Sequence, residues 1–239
     1  MTLNSKWALL MMLTATLSAA GCAEKKEATT DSPAASFVPA VEQAAASSGA
    51  SSAATPAPAA AVDSAANDEK AAAIQAALAE DAIVSDPRGQ WATSGTSSST
   101  YASDKAATAK TSYAPNAATG APDVERYGDN GNAWTTETPD KGIEWLEVKF
   151  DKPVAATQLR IRQNYGGGAI MKVELIDDAG MRHIVWQGID QQAYAPSTIS
   201  WFDRSFEKTA YKATGARITL ATNAVLGWNE IDAVQLLGD

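Results

Sequence analysis

The sequence predicts an all-β fold, an eight-stranded jelly-roll β-sandwich over residues 88–239, preceded by a disordered tether and a short marginal helix. Three observations carry this. Trp91, Trp134, Trp145, Trp186, Trp201 and Trp228, and all six tyrosines, lie beyond residue 87, so the material for a packed core is there. Apolar residues in that region recur with a period of two, as on a half-buried strand. Gly, Pro, Asn and Asp clusters separate the runs at short spacing.

In IEWLEVKF (143–150), Leu146, Val148 and Phe150 share one face, and Asp151, Lys152 and Pro153 read as the following turn. ATQLRIRQ turns Leu159 and Ile161 inward and Arg160 and Arg162 outward, and IMKVELI alternates Met171, Val173 and Leu175 against Lys172 and Glu174. Asp177, Asp178, Ala179 and Gly180 form a hairpin signal. Further strands read around 182–188, 198–206 and 216–221, and an eighth near Trp91. The last strand, EIDAVQLL, breaks parity, since Ile231 and Ala233 oppose Val234 and Leu236; both its faces are covered or it carries a bulge. Trp145 is expected to be a core aromatic and Tyr165 a loop residue whose loss spares stability. Eight short strands over this length fit a jelly roll better than a seven-stranded immunoglobulin module.

The N-terminal third has a different composition. Lys6 followed by WALLMMLTATL (7–17) has the charge and length of an export signal, and its apolar run falls short of the roughly 20 residues that span a bilayer. Residues 1–21 are therefore expected to be a lipoprotein signal, with Cys22 the lipid acceptor after Ser18, Ala19, Ala20 and Gly21. Ala23 is not the Asp of an inner-membrane retention signal, so a two-membrane cell would place the chain on its outer membrane. Residues 22–67 are rich in Ala, Ser and Pro and lack the large apolar groups that offset backbone ordering; they read as a disordered tether. Its root-mean-square span is on the order of 35 Å. Residues 68–84 place Ile74, Leu78 and Ala82 at helical spacing, with Asn67 as the expected N-cap and Asp86, Pro87, Arg88 and Gly89 as the stop.

Charge and composition exclude several classes. With 19 basic against 28 acidic side chains, the chain cannot neutralise a phosphate backbone, so no nucleic-acid partner is expected. One cysteine and one histidine leave no intrachain disulfide and no Cys/His zinc site. His183 has no nucleophile beside it in sequence, and no Ser or Cys constellation points to an enzyme.

The blocks AATGAPD (117–123), GDNGNAWTT (128–136), EWLEVKFDKPV (144–154), ATQLRIRQNYGGGAIMKVEL (156–175) and RITLATNAVLGWNEIDAVQLLG (217–238) together resemble the discoidin, or coagulation factor 5/8 type C, branch of the galactose-binding-like domains. The resemblance implies a non-catalytic jelly roll with ligand-binding loops at one end. It also implies a structural calcium, a cation that takes six to eight oxygens. The matching positions are Asp123, Thr135 and Glu230, with Asp129, Asn130 and Asn132 as further oxygens, whereas Thr119 and Ala121 stand where the family has an acid and an amide.

Sugar-binding members carry an Asn-Arg pair after the strand that here ends in Arg162, Gln163 and Asn164; the departure weakens the usual galactose or fucose recognition. Arg162, Asn164 and Asn229 remain the polar ligand-binding candidates, and Tyr165 and Trp228 the aromatic ones, around the loop Gly166, Gly167 and Gly168. Two readings follow. One is a membrane-anchored lipoprotein binding a cell-surface or cell-wall carbohydrate. The other is a structural or adaptor lipoprotein whose sandwich holds a protein of the envelope.

Overall fold

The computed structural model describes residues 59–102 and 110–239; the expected export signal, Cys22 and most of the expected tether lie outside the described residues. Helix α1 (Ala59–Val84) leads into strands β1 (Gly89–Trp91), β2 (Ser94–Ser97), β3 (Ile143–Val154), β4 (Ala156–Tyr165), β5 (Ile170–Asp177), β6 (Arg182–Gln187), β7 (Ser200–Ser205), β8 (Ala213–Ala221) and β9 (Glu230–Gly238). They form two antiparallel sheets, ordered β1-β9-β4-β7 and β2-β3-β8-β5-β6. This is the two-layer sandwich the alternation implied, with nine strands rather than eight. The stretch near Trp91 divides: β1 pairs with β9 in one sheet, and β2 pairs with β3 in the other.

The core lies between the sheets and includes Leu146, Val148, Leu159, Ile161, Val173, Leu175, Phe202, Ile218, Val234 and Leu236. Its large aromatic member is Trp134, 0% exposed, whose indole N–H donates to Ser99 O at 3.2 Å. Trp145 is not in the core. Because Leu146 and Val148 face inward, their odd-numbered neighbours face outward, and Trp145 is half-buried beneath the Arg217 guanidinium, 3.8 Å from its ring centroid. The segment 151–153, expected as a turn, continues β3: the Gln90 amide clamps it through Lys152 O at 2.6 Å and Lys152 N at 3.0 Å, and the β3–β8 register slips there.

Strand β9 meets both alternatives at once. Every residue from Glu230 to Leu237 is buried, and the β4–β9 register slips beside Gln163. Ile231, Val234 and Leu236 join the core, while Asp232 reaches the other face, where Arg162 Nη1 donates to its carboxylate at 2.5 Å and to Val124 O at 2.6 Å. Burial pushes the Asp232 carboxyl upward and Arg162 opposes it.

That outer face is covered by the end of α1. Glu80 pairs with Arg162 Nε at 2.9 Å and accepts from Trp201 Nε1 at 2.5 Å, Ile83 O accepts from Gln235, and Asp86 pairs with Arg160. The helix begins at Ala59, upstream of the expected start, so Asn67 lies inside it and caps nothing. The Ala-rich stretch 59–66 has high helix propensity and no breaker to stop propagation. From Glu80 in α1 to Asp86 just beyond it, the chain passes from the Arg162 row of the sheet to the Arg160 row, so the upstream turns of the helix lead toward the end where β4 closes and β9 opens.

Candidate functional site

That end gathers the loops following β4 and β6, the connection from β8 to β9 and the segment around Tyr127. The loop after β4 turns through Gly166 at φ 56°, and a Cβ there would stand 2.2 Å from Trp228 O. Only glycine permits that approach. Asn229 holds it in place: its Nδ2 donates to Gly166 O at 2.7 Å and to Val225 O at 3.3 Å.

Above these bonds opens a cleft of about 290 Å³, bordered by Tyr127, Tyr165, Tyr194, Ser200, Leu226 and Trp228. Tyr165 meets Tyr127 edge to face, with ring centroids 5.3 Å apart. The far wall is carried by Asp190, which accepts from Tyr194 Oη at 2.5 Å and from Arg204 at 2.8 Å. Burial and the Asp190 contact both raise the Tyr194 phenol, keeping it a donor. Gln163 completes the frame, accepting from Gly168 N and donating to Tyr194 Oη.

The expected ligand residues divide between wall and support. Tyr165 and Trp228 line the cleft, half-buried. Asn229 and Asn164 are buried at 3% and 0% exposure and support the walls without facing a ligand. Arg162 is not part of the cleft; it is committed to Asp232, Val124 and Glu80 on the outer sheet face. Tyr127, Tyr194 and Asp190 were not singled out from sequence. The segment 188–199 has no alternation to read, though a loop that long without regular structure is itself a sign of function.

The expected calcium residues divide as well. Glu230 is 1% exposed; its Oε2 accepts from Asn164 Nδ2 at 2.6 Å and from Asn130 N at 3.1 Å. Burial, reinforced by Asp129, pushes its carboxyl up to about 7 against these two donors. Of the other expected ligands, Asp129 lies beside it, and Asn130 reaches it through the backbone N–H while its side-chain oxygen accepts from Asn132 N at 3.0 Å. Asp123 is exposed, with its backbone N–H on Asp232, and the Thr135 hydroxyl donates to Asn229 O at 3.0 Å. Among the described residues no cluster of three or more His, Cys, Asp or Glu side chains is disposed for a metal. The side chains thus fit calcium only at Glu230 and Asp129, where Glu230 Oε1 and the neighbouring Asn164 Oδ1 are buried oxygens without a donor.

Comparison with known families matches residues 82–239 to the one described as Pappalysin-1, SD scarf domain, C-terminal. No curated protein matches the chain. Similar solved structures include chitosan-binding module 1 of a chitosanase/glucanase from Paenibacillus sp. IK-5, at 11% identity over 61% of this chain and 95% of that one, with a TM-score of 0.44. An F5/8 type C domain from Bacteroides fragilis is 17% identical over 62% of this chain and 91% of that one, TM-score 0.44. The family 32 carbohydrate-binding module of Clostridium perfringens NanJ, solved with galactose, is 13% identical over 62% and 98%, TM-score 0.41.

Proposed function

From the premise that this chain belongs to the Pappalysin-1 SD scarf domain, C-terminal, family over residues 82–239, we propose that its sandwich is a non-catalytic binding module for a cell-surface or cell-wall carbohydrate. The observation that carries the reading is the cleft itself. Tyr127, Tyr165, Tyr194 and Trp228 border it with aromatic surface, and Ser200 and the backbone of the 195–198 loop supply polar groups among them. Pyranose rings offer apolar C–H faces edged by hydroxyls, and such a wall meets both demands. At about 290 Å³ the cleft accommodates one or two sugar units rather than a long chain.

The proposal extends to location. Residues 1–21 direct export, Cys22 is acylated, and the tether presents the sandwich outside the cytoplasm, on the outer membrane in a two-membrane cell. Calcium, if it takes part, would be held by Glu230 and Asp129 and would serve structurally, joining the loop at 128–130 to β9. The adaptor reading draws its support from α1, where Ile74 and Leu78 are 49% and 58% exposed on one side of the helix. Crosslinking in cells that yields no discrete protein partner would remove it.

Glycan-array binding by the full chain, with and without calcium, tests the main reading. Retention of a saccharide that is lost in Tyr165→Ala is the expected result; no saccharide held above background in either condition would overturn it. Detergent-phase partitioning that persists in Cys22→Ser would overturn the lipid anchor.

A further inference from the structure

Beside the cleft, on the other side of Trp228, lies a second and smaller recess of about 90 Å³ bounded by Tyr101, Tyr113, Asp129, Thr135 and Trp228. The Tyr101 ring stands nearly at right angles to the other two. Tyr101 meets Tyr113 at 5.2 Å and 81°, and Trp228 at 5.4 Å and 80°. The Asp129 carboxylate closes one side, fixed by the Tyr113 hydroxyl, which donates to it at 2.8 Å.

We propose that this recess is an aromatic cage for a small alkylammonium group, as carried by choline or by the free amine of an amino sugar. The proposal does not rest on the carbohydrate reading of the cleft.

Three observations support it. The first is electrostatic. Ring faces carry negative potential and attract a cation held over them, most strongly at Trp and Tyr. Here three rings and a carboxylate bound one recess, and the buried Glu230 stands behind Asp129, with one oxygen lacking any donor. Among the described residues neither Asp129 nor Glu230 forms an ion pair.

The second is conformational. Ser112 and Tyr113 are consecutive non-glycine residues in the left-handed region, at φ 65° and 63°. Such backbone is held only where its surroundings fix it. Tyr113 N donates to Gly131 O at 3.0 Å, and Tyr113 O accepts from the Thr100 hydroxyl at 2.6 Å. The strained pair places the Tyr113 ring against Tyr101 and its hydroxyl on Asp129. That contact, with burial, pushes the phenol up to about 12, so it remains a donor.

The third is size and exposure. A recess of about 90 Å³ admits a single head group and no sugar ring. Tyr101 is 56% exposed, a large apolar group left in water where nothing in the core requires it.

Calorimetric titration of the full chain, in buffer containing a calcium chelator, tests the assignment. Choline chloride and tetramethylammonium chloride are compared with the neutral carbon isostere of choline, and glucosamine hydrochloride with N-acetylglucosamine. Saturable binding of at least one cation, with its neutral counterpart bound about tenfold or more weakly, is expected from the loss of one desolvated cation–π set. Which cation binds distinguishes a methylated head group from a primary amine. Asp129→Asn keeps the shape of the recess and is expected to weaken binding about tenfold. Tyr101→Ala is expected to do the same, and its melting temperature shows whether the sandwich is intact. Equal binding of a cation and its neutral counterpart, no heat from any of the cations, or full affinity in Asp129→Asn and Tyr101→Ala would each overturn the proposal.

Discussion

Asn229 Nδ2 donates to Gly166 O at 2.7 Å, so the residue just before β9 also fixes the glycine turn that forms the cleft floor. The side chain is 3% exposed, and its loss leaves two half-buried carbonyls, Gly166 O and Val225 O, without this donor. Asn229→Ala is therefore expected to cost about 1–3 kcal/mol in urea unfolding and to weaken saccharide retention together with it. Tyr165→Ala separates the two effects. Tyr165 is a half-buried wall residue whose specific partner is Tyr127, so its truncation is expected to lower stability by no more than about 1.5 kcal/mol while abolishing retention. Equal stability losses in both variants would mean that Tyr165 is structural.

Two tryptophans test the layer assignment. Trp134 is 0% exposed and its indole N–H is satisfied at Ser99 O, so Trp134→Ala opens a cavity and is expected to cost about 3–5 kcal/mol. Trp145 packs on the outer face under Arg217 and loses mainly a cation–π contact, about 1 kcal/mol in Trp145→Ala. Chemical unfolding of the two variants that ranks them in the reverse order would place Trp145 in the core after all.

The contrast between these residues shows what the sequence makes legible. Period-two alternation located β3, β4 and β5, because strands with one face on the core print that face as every second residue. The same rule, applied strictly, excludes Trp145 from the core, since Leu146 and Val148 already occupy the inward face; size alone suggested otherwise. Trp134 has no periodic neighbours, sits in a loop beside a single bridge to Ile231, and could be recognised only through the AW dipeptide of the family resemblance. At the loop end, Tyr165 and Trp228 were legible as aromatics beside glycine, but whether a polar neighbour faces the ligand or the fold depends on one bulge. The register slip beside Gln163 turns Asn164 inward onto Glu230, while Arg162 remains outside under α1. No local pattern encodes that slip. Tyr101 and Tyr113 reach Trp228 from far along the chain, and only tertiary structure brings the three rings together.

The Glu80 contacts make the end of α1 separable from the sandwich. Glu80 holds both Arg162 and Trp201, and among the described residues it is the one acidic side chain of α1 paired with the sheet. Partly exposed ion pairs of this kind contribute roughly 1 kcal/mol or less to global stability. Glu80→Gln is thus expected to leave the unfolding midpoint nearly unchanged but to speed amide hydrogen exchange across α1, because helices in proteins draw most of their stability from docking. Unchanged exchange in the variant would show that Ile83 and Asp86 suffice to hold the helix.

The pH dependence of stability gives the sharpest test of the buried acid. Glu230 is raised from its ordinary 4.5 to about 7, so the folded chain holds this proton more tightly than the unfolded chain does. Its contribution is fully present below about pH 4.5 and is lost as pH rises through about 7, which at 1.36 kcal/mol per unit amounts to at most ~3 kcal/mol. Glu230→Gln keeps the shape of the protonated group and cannot ionise. The expected result is that the native chain loses stability relative to this variant between pH 5 and 8, the two converging at the acidic end. Asp86, which its hydrogen bond to Arg88 holds at about 2, titrates below this window and does not enter the difference. Calcium would oppose the loss, since a cation at Glu230 and Asp129 favours the carboxylate that burial disfavours. Added calcium that restores stability at pH 8 in the native chain but not in Glu230→Gln would support the metal at this position. A native curve parallel to that of the variant across the whole window would mean that Glu230 is ionised throughout and that water or a cation already reaches it.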